Sequence, residues 1–133
     1  MPLTANRDLD RYVDQELRQL PVRNNVRIYK GAFVGLAAGF ARPLVAGDLF
    51  AGVAYEEADN TGGADGAISV RVFTSGDFEH ALASAARSNN GTVVYASDDS
   101  TLTLTAGGNS NLGNQVDVVG TNKILVRLRP WMR

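Results

Sequence analysis

Cysteine is absent from the 133-residue chain, which excludes disulfides, thiolate metal ligands and cysteine nucleophiles. Histidine occurs once, so any His-dependent catalytic mechanism would need His80. Neither a Gly-x-Ser-x-Gly elbow nor a phosphate-binding P-loop is present. His80 stands beside Glu79 near a predicted strand end, where a structural role is favoured because a catalytic site needs several converging partners. We therefore expect a protein that is not an enzyme and has no cofactor.

The chain also has no long apolar run, a net charge close to zero and few aromatic residues. No stretch is long enough to span a bilayer, and the first eight residues lack the apolar core of a signal peptide. The net charge of −1 gives no bulk attraction to nucleic acids or membranes. The aromatic content of 8% is low for a base-stacking platform. We expect neither a nucleic acid nor a membrane as partner.

The acidic residues raise the question of a calcium site. Glu56, Glu57, Asp59 and Asp65 stand in or beside a glycine-rich turn, and Ca²⁺ prefers carboxylate ligands. The loop spacing of an EF-hand is absent, however, and aspartate is common in turns for conformational reasons. Solvated turn carboxylates are the favoured interpretation, and we expect no metal site.

Glycine, by contrast, is abundant at 14 residues and falls between short apolar runs, as is typical of an all-β fold with many turns. One pattern occurs twice, over residues 48–73 and 111–129: a strand interrupted by glycine, a polar turn, and a second strand of the form aliphatic-x-Val-Arg-aliphatic. Alternation with a period of two predicts half-buried strands. The residues expected to share a face are Ile68, Val70 and Val72 in the first copy and Ile124, Val126 and Leu128 in the second.

These features predict a mainly β fold, a compact antiparallel body of hairpins that is barrel-like or sandwich-like. One short helix of about two turns is expected over residues 83–91, closed by glycine. A chain of this length is expected to form one domain. We divide it into an N-terminal arm, residues 1–24, and a β-rich domain, residues 25–133, which ends in an Arg/Trp tail. The turn over residues 59–66 is predicted to be exposed and mobile.

The arm carries an apolar stripe at helical spacing, formed by Leu9, Tyr12, Val13, Leu17 and Leu20. The spacing predicts a helix that ends before proline at position 21. Three placements remain open. The helix could fold back on its own sheet, it could pack on a neighbouring subunit, or residues 16–22 could pair as an edge strand.

The tail places Arg127, Arg129 and Arg133 around Trp131. A tryptophan flanked by arginines has the composition of an interface hot spot. A plug over one end of the domain's own core would use the same residue. Both interpretations are retained.

A series of short motifs runs along most of the chain. In order, they are Leu3-Thr-Ala-Asn-Arg-Asp8, Leu20-Pro-Val22, Ile28-Tyr-Lys-Gly-Ala-Phe-Val-Gly35, Phe50-Ala-Gly-Val-Ala54, Asp59-Asn60, Gly63-Ala-Asp-Gly66, Val70-Arg-Val72, Val94-Tyr-Ala-Ser-Asp-Asp99, Leu112-Gly113 and Val126-Arg-Leu128. In the order and spacing of these motifs, the chain resembles the capsid decoration (cement) proteins of tailed bacteriophages, in particular those of Mu-like phages and related siphophages.

The resemblance implies a structural protein made in the host cytoplasm and carried on the outer capsid surface of the virion. Its partners would be the major capsid protein and other copies of itself, with a homotrimer favoured and a dimer as the alternative. The residues predicted to form these interfaces are Leu9, Tyr12, Leu17, Leu20, Arg127, Arg129, Trp131 and Arg133. The alternative function is a β-sandwich recognition module of a phage fibre or carbohydrate-binding type, which would use exposed aromatics and the acidic turns, with or without Ca²⁺.

Overall fold

Twelve strands make up most of the regular structure in the part of the chain that this computed structural model describes, residues 2, 4–6 and 16–131. The strands are β1 (Leu17–Pro21), β2 (Arg27–Ile28), β3 (Phe33–Ala37), β4 (Phe40–Pro43), β5 (Leu49–Ala54), β6 (Ala58–Asp59), β7 (Ser69–Phe73), β8 (Asp77–Ala81), β9 (Val93–Ala96), β10 (Leu102–Thr103), β11 (Ser110–Gly120) and β12 (Lys123–Leu128). A 3-10 helix, Arg87–Asn89, is the only helix in these residues. The prediction of a mainly β fold is confirmed.

The strands form two five-stranded sheets and one small sheet, all with antiparallel pairing. The first sheet has the order β1-β7-β5-β3-β4, and the second has the order β10-β9-β11-β12-β8. The small sheet pairs β2 with β6. Neither large sheet closes on itself, so the sandwich alternative is correct and the barrel alternative is wrong.

Apolar side chains fill one layer on each face of the first sheet. The layer between the two large sheets contains Phe33, Phe50, Val53, Leu112, Ile124, Val126 and Leu128 among its members. On the opposite face, Val70 and Val72 of β7 pack with Ile28 and Ala58 of the small sheet. The predicted shared faces are therefore confirmed, with the valines of β7 in one layer and the alternating aliphatic residues of β12 in the other. Burial on both faces explains why β5 reads as a nearly continuous apolar run.

Strand β5 contains a bulge that changes which of its residues share a face of the sheet. Val34 opposes Gly52 while Gly35 opposes Phe50, so Ala51 is an extra residue without a partner on β3. The extra residue puts Phe50 and Val53, three positions apart, on the same face of the sheet.

In both copies of the sequence pattern, a glycine lets two neighbouring strands approach closely, but the two copies differ in their turns. Gly52 (φ +147°) and Gly113 (φ +153°) each lie so close to a carbonyl oxygen of the adjacent strand in the sheet, β7 and β12 respectively, that a Cβ would overlap it. In the second copy, β11 and β12 form a direct hairpin. In the first copy, the chain leaves β5 to form β6 in the small sheet before it returns as β7. The predicted simple hairpin in the first copy is therefore replaced by an excursion that covers the outer face of the first sheet.

The N-terminal segment departs from the helical prediction where the structure describes it. Leu17 to Pro21 form β1, an edge strand paired with β7, and Leu20 and Val22 are buried in the outer layer. The edge-strand alternative is confirmed, and the helical prediction is wrong for these residues because β7 offers them an unpaired backbone edge. Proline is tolerated because β1 is at the edge. Residues 7–15, with the rest of the stripe, lie outside the described residues.

The segment predicted as a short helix contains only one 3-10 turn. Ser84 has a positive φ of 59°, which interrupts any helix from residue 83. Gln115 instead holds the segment, because its Nε2 donates to the carbonyl oxygen of Ala86 and to Oδ1 of Asn90, both at 2.9 Å. The predicted two-turn helix is therefore wrong, although Gly91 does end the segment with a positive φ of 89°.

The turn over residues 59–66 is largely exposed, as predicted, but Asn60 within it is buried at 3% exposure. Its Nδ2 donates to the carbonyl oxygens of Arg23, at 2.8 Å, and Ala64, at 3.0 Å.

Asn60→Ala is therefore expected to lower the free energy of unfolding by about 2–3 kcal/mol, because two carbonyls lose their donor. Urea denaturation would measure the loss. Asn24→Ala is the control, since that side chain is exposed, and equal denaturation midpoints for the two variants would contradict the assignment.

Candidate functional site

A cavity of about 720 Å³ opens between the two large sheets, at the end of the sandwich where β5 finishes. Most of its walls are apolar side chains from both sheets: Phe33, Val53, Phe73, Phe78, Val126 and Leu128. Pockets of 300–1,000 Å³ with apolar walls are typical of sites that hold small molecules. The cavity is therefore the first of two candidate sites.

Aromatic rings form a continuous wall along one side of the cavity. The ring of Phe73 lies 5.3 Å from that of Tyr55 and 5.5 Å from that of Phe78, measured between centroids. On the other side, the imidazole of His80 lies 4.9 Å from the ring of Phe33. Strand β8 is the edge of the second sheet, and its alternation turns the half-buried Phe78 and His80 towards the first sheet.

Two glutamates at the rim of the cavity are each held by an arginine that also stacks on a tyrosine. Arg71 donates to both carboxylate oxygens of Glu56, with Nε at 3.0 Å from Oε2, and its guanidinium lies 4.8 Å from the ring centroid of Tyr55. The hydrogen bonds from Arg71 hold the pKa of Glu56 below its ordinary value. Arg27 donates to Glu57 at 2.7 Å.

Three further polar side chains lie at the rim, those of Glu79, His80 and Lys30. Glu79 pairs with Lys123 at 3.4 Å. The Nδ1 of His80 lies 2.9 Å from the carbonyl oxygen of Ala81, to which it can donate. Lys30 is exposed and has no ion-pair partner among the residues that the structure describes. The carboxylates at the rim are therefore paired while one cation is left over.

The second candidate site is an exposed apolar surface at the opposite end of β5, formed by Val45, Leu49 and Trp131, which we call the end patch. Their exposed fractions are 49%, 58% and 54%. The backbone N–H of Trp131 donates to the carbonyl oxygen of Phe50 at 3.0 Å, which fixes the tryptophan beside the start of β5. Exposed apolar residues that lie together on a surface are typical of interaction sites.

The predicted interface residues are scattered by the fold. Leu17 is half-buried and Leu20 is buried against its own sheet, so Leu20 offers no apolar surface to a neighbour. Arg127 donates through Nε and Nη2 to the carboxylate of Asp77, at 2.9 and 3.0 Å. Arg129 is exposed beside Trp131. The remaining three predicted residues, Leu9, Tyr12 and Arg133, lie outside the described residues.

Trp131 is too exposed to plug the core, and the buried residue at this position is its neighbour Pro130. Sequence reasoning missed Val45, Leu49 and the cavity. Leu49 begins a strand whose other residues are all buried, and no sequence signal distinguishes it from them. The aromatic residues that line the cavity are evident in the sequence, but the alternation of apolar and polar residues in their strands equally predicts a core with no cavity.

The acidic turns are occupied by hydrogen bonds within the chain. Asp65 accepts the backbone N–H of Asn24 at 2.7 Å, and Asp59 accepts the N–H of Thr61 at 3.0 Å. Hydrogen bonds from Thr61 lower the pKa of Asp59. Within the described part of the chain, no three histidine or carboxylate side chains gather at a spacing suited to a metal ion.

No protein-family model, curated protein or solved structure matches this chain. None of the helical structure in the described ranges is long and apolar enough to cross a membrane.

Proposed function

We propose that this protein is a capsid decoration protein, which binds the outer surface of a phage head and stabilises contacts between major capsid proteins. The observation that carries the proposal is the exposed Trp131, which is held by its backbone at the end of β5 and flanked by the exposed Arg129. Tryptophan and arginine are the residues most enriched among the energetic centres of protein interfaces. The motif resemblance to decoration proteins supports the same assignment.

The stabilising free energy in this mechanism comes from burying the end patch against capsid subunits. A stable contact needs about 1,600 Å² of buried surface in total, more than the end patch alone provides. Further contacts with copies of itself, as a homotrimer or a dimer, would enlarge the interface and raise the effective concentration at the shell. A protein that binds only the mature lattice stabilises that lattice in proportion to its occupancy. No reaction and no cofactor enter this mechanism.

The recognition-module alternative is supported by Tyr29 and Tyr55, which are 57% and 40% exposed. Each tyrosine, however, has one ring face covered by an arginine guanidinium, at 4.9 and 4.8 Å from the ring centroid. A sugar would be left with the opposite faces only. The side chains that would have to bind Ca²⁺ already accept hydrogen bonds within the chain. The end patch has neither restriction, so capsid binding is the better-supported function.

Trp131→Ala is expected to weaken binding to empty, expanded capsid shells by about 30-fold or more, because a central tryptophan contributes about 2 kcal/mol or more. Co-sedimentation titrations of the purified protein with shells of the phage that carries it would measure the change. Tyr29→Ala is the matched control, an equally exposed aromatic at the opposite end of β5.

Failure of the unmodified protein to co-sediment with the shells would refute the proposed function. Equal losses for the two variants would refute the assignment of the interface to the end patch. Thermal melting of both variants would establish that the fold is intact, since Trp131 contributes its backbone N–H and not its indole to the bond with β5.

A further inference from the structure

The cavity between the two large sheets plays no part in the proposed capsid contact, which lies at the other end of β5. Around this open cavity of about 720 Å³, part of the apolar wall lacks the close packing that protein interiors otherwise achieve. The partly exposed rings along its walls, Tyr55, Phe73 and Phe78, therefore have unused contact surface. An apolar ligand of matching size would gain those contacts on entering and would release water from the walls.

The charges at the rim determine which head group a ligand with an apolar tail can carry. Glu56, Glu57 and Glu79 are each neutralised by an ion pair with Arg71, Arg27 and Lys123 respectively. Lys30 is the one lysine or arginine among the cavity-lining residues, and in the described residues it has no ion-pair partner. A ligand with an anionic group at one end would complete the charge pairing at the rim, whereas a cationic ligand would meet an unpaired lysine.

The position of Lys30 at the rim is fixed by its backbone. Gly31, the next residue, adopts a φ of +85° and donates its N–H to the carbonyl oxygen of Ala54 at 2.9 Å. The hydrogen bond ties the segment to the end of β5, beside Tyr55 and the glutamate pairs. A long, flexible lysine side chain anchored at this point can follow the head group of a ligand at the mouth.

We propose that the cavity binds a small amphiphile with an apolar tail and an anionic head, of the chemical class of medium-chain carboxylates. The tail lies between the rings of Phe33, Phe73 and Phe78, and the carboxylate pairs with Lys30 at the rim. The site is distinct from the end patch, so the two assignments stand or fall separately.

The experiment titrates the full-length protein by calorimetry with three ligands that share a ten-carbon tail: decanoate, decanol and decyltrimethylammonium. Decanoate is expected to bind with a 1:1 stoichiometry and at least about tenfold more tightly than the cation, a difference of about 1.4 kcal/mol, because Lys30 attracts the carboxylate and repels the ammonium group. Lys30→Gln is expected to remove most of that preference while leaving decanol binding unchanged. Arg129→Gln, which changes the net charge equally at an exposed site, is expected to retain the preference.

A second variant tests the location. Val53→Phe enlarges a side chain of the cavity wall and is expected to weaken decanoate and decanol binding together by about tenfold or more. Should that variant fail to fold, amide chemical shifts of the unmodified protein with decanoate would locate the ligand instead. Absence of saturable decanoate binding, shifts confined to the end patch, or an anion preference that survives in Lys30→Gln would each overturn the proposal.

Discussion

Gly113→Ala is expected to destabilise the protein by more than about 4 kcal/mol, or to prevent folding, because β11 has no room for a methyl group at this position. Gly113 has a φ of +153°, and an added Cβ would overlap the carbonyl oxygen of Arg127 on β12. Neither strand can yield, because β11 is paired with β9 and β12, and β12 is paired with β11 and β8. Circular dichroism and urea denaturation would measure the loss of sheet structure and of stability.

Gly108→Ala is the control that separates the collision from conformational strain. Gly108 also has a positive φ, +82°, but no heavy atom lies within 4 Å of a Cβ built there. Its substitution should cost about 1 kcal/mol, the value for a non-glycine residue in the left-handed region. Comparable losses for the two variants would show that backbone conformation, and not the approach of β12, determines the requirement for glycine.

Asp48→Ala is expected to cost about 3 kcal/mol, because it leaves a partly buried arginine without its carboxylate. Asp48 is the better buried partner, with 9% of its side chain exposed against 26% for Arg42. It accepts Nη2 of Arg42 at 2.7 Å, Nε of Arg42 at 3.0 Å and the backbone N–H of Val45 at 3.0 Å. The hydrogen bond to Asp48 raises the pKa of Arg42 above its ordinary value.

The matched control is Asp77→Ala, which removes a pair of the same bidentate geometry from a more exposed site. Asp77 accepts Nε and Nη2 of Arg127, and the two side chains are 31% and 57% exposed. Exposed pairs contribute little because water screens them, so a much smaller loss is expected than for Asp48→Ala. Urea denaturation midpoints of both variants provide the comparison, and equal shifts would contradict the dependence on burial.

Loss of the Asp48 carboxylate is also expected to disturb the proposed capsid-binding surface. Its carboxylate fixes the turn from Val45 to Leu49, which supplies two of the three residues of the end patch. The fold thus places the proposed interface on a turn held by a partly buried ion pair. Trp131 is tied to the adjacent carbonyl of Phe50, so the whole patch depends on the start of β5.

The sequence alone determined the fold class and the faces of several strands. Alternation with a period of two is a local property, and it predicted correctly that Val70 and Val72, and likewise Ile124, Val126 and Leu128, would be buried. Local patterns were sufficient in these cases because the burial of a strand face depends mainly on the residues of that strand.

Only the tertiary structure decided which elements pair and where space remains. Leu17 and Leu20 fit a helix as well as an edge strand, and the free edge of β7 determined the outcome. The end patch places Trp131 beside the turn that carries Val45 and Leu49, about 80 residues away in sequence, through the backbone hydrogen bond from Trp131 to Phe50. The cavity depends on how far apart the two sheets lie. Alternation within one strand does not predict that distance, because packing between sheets depends on side chains from distant parts of the chain.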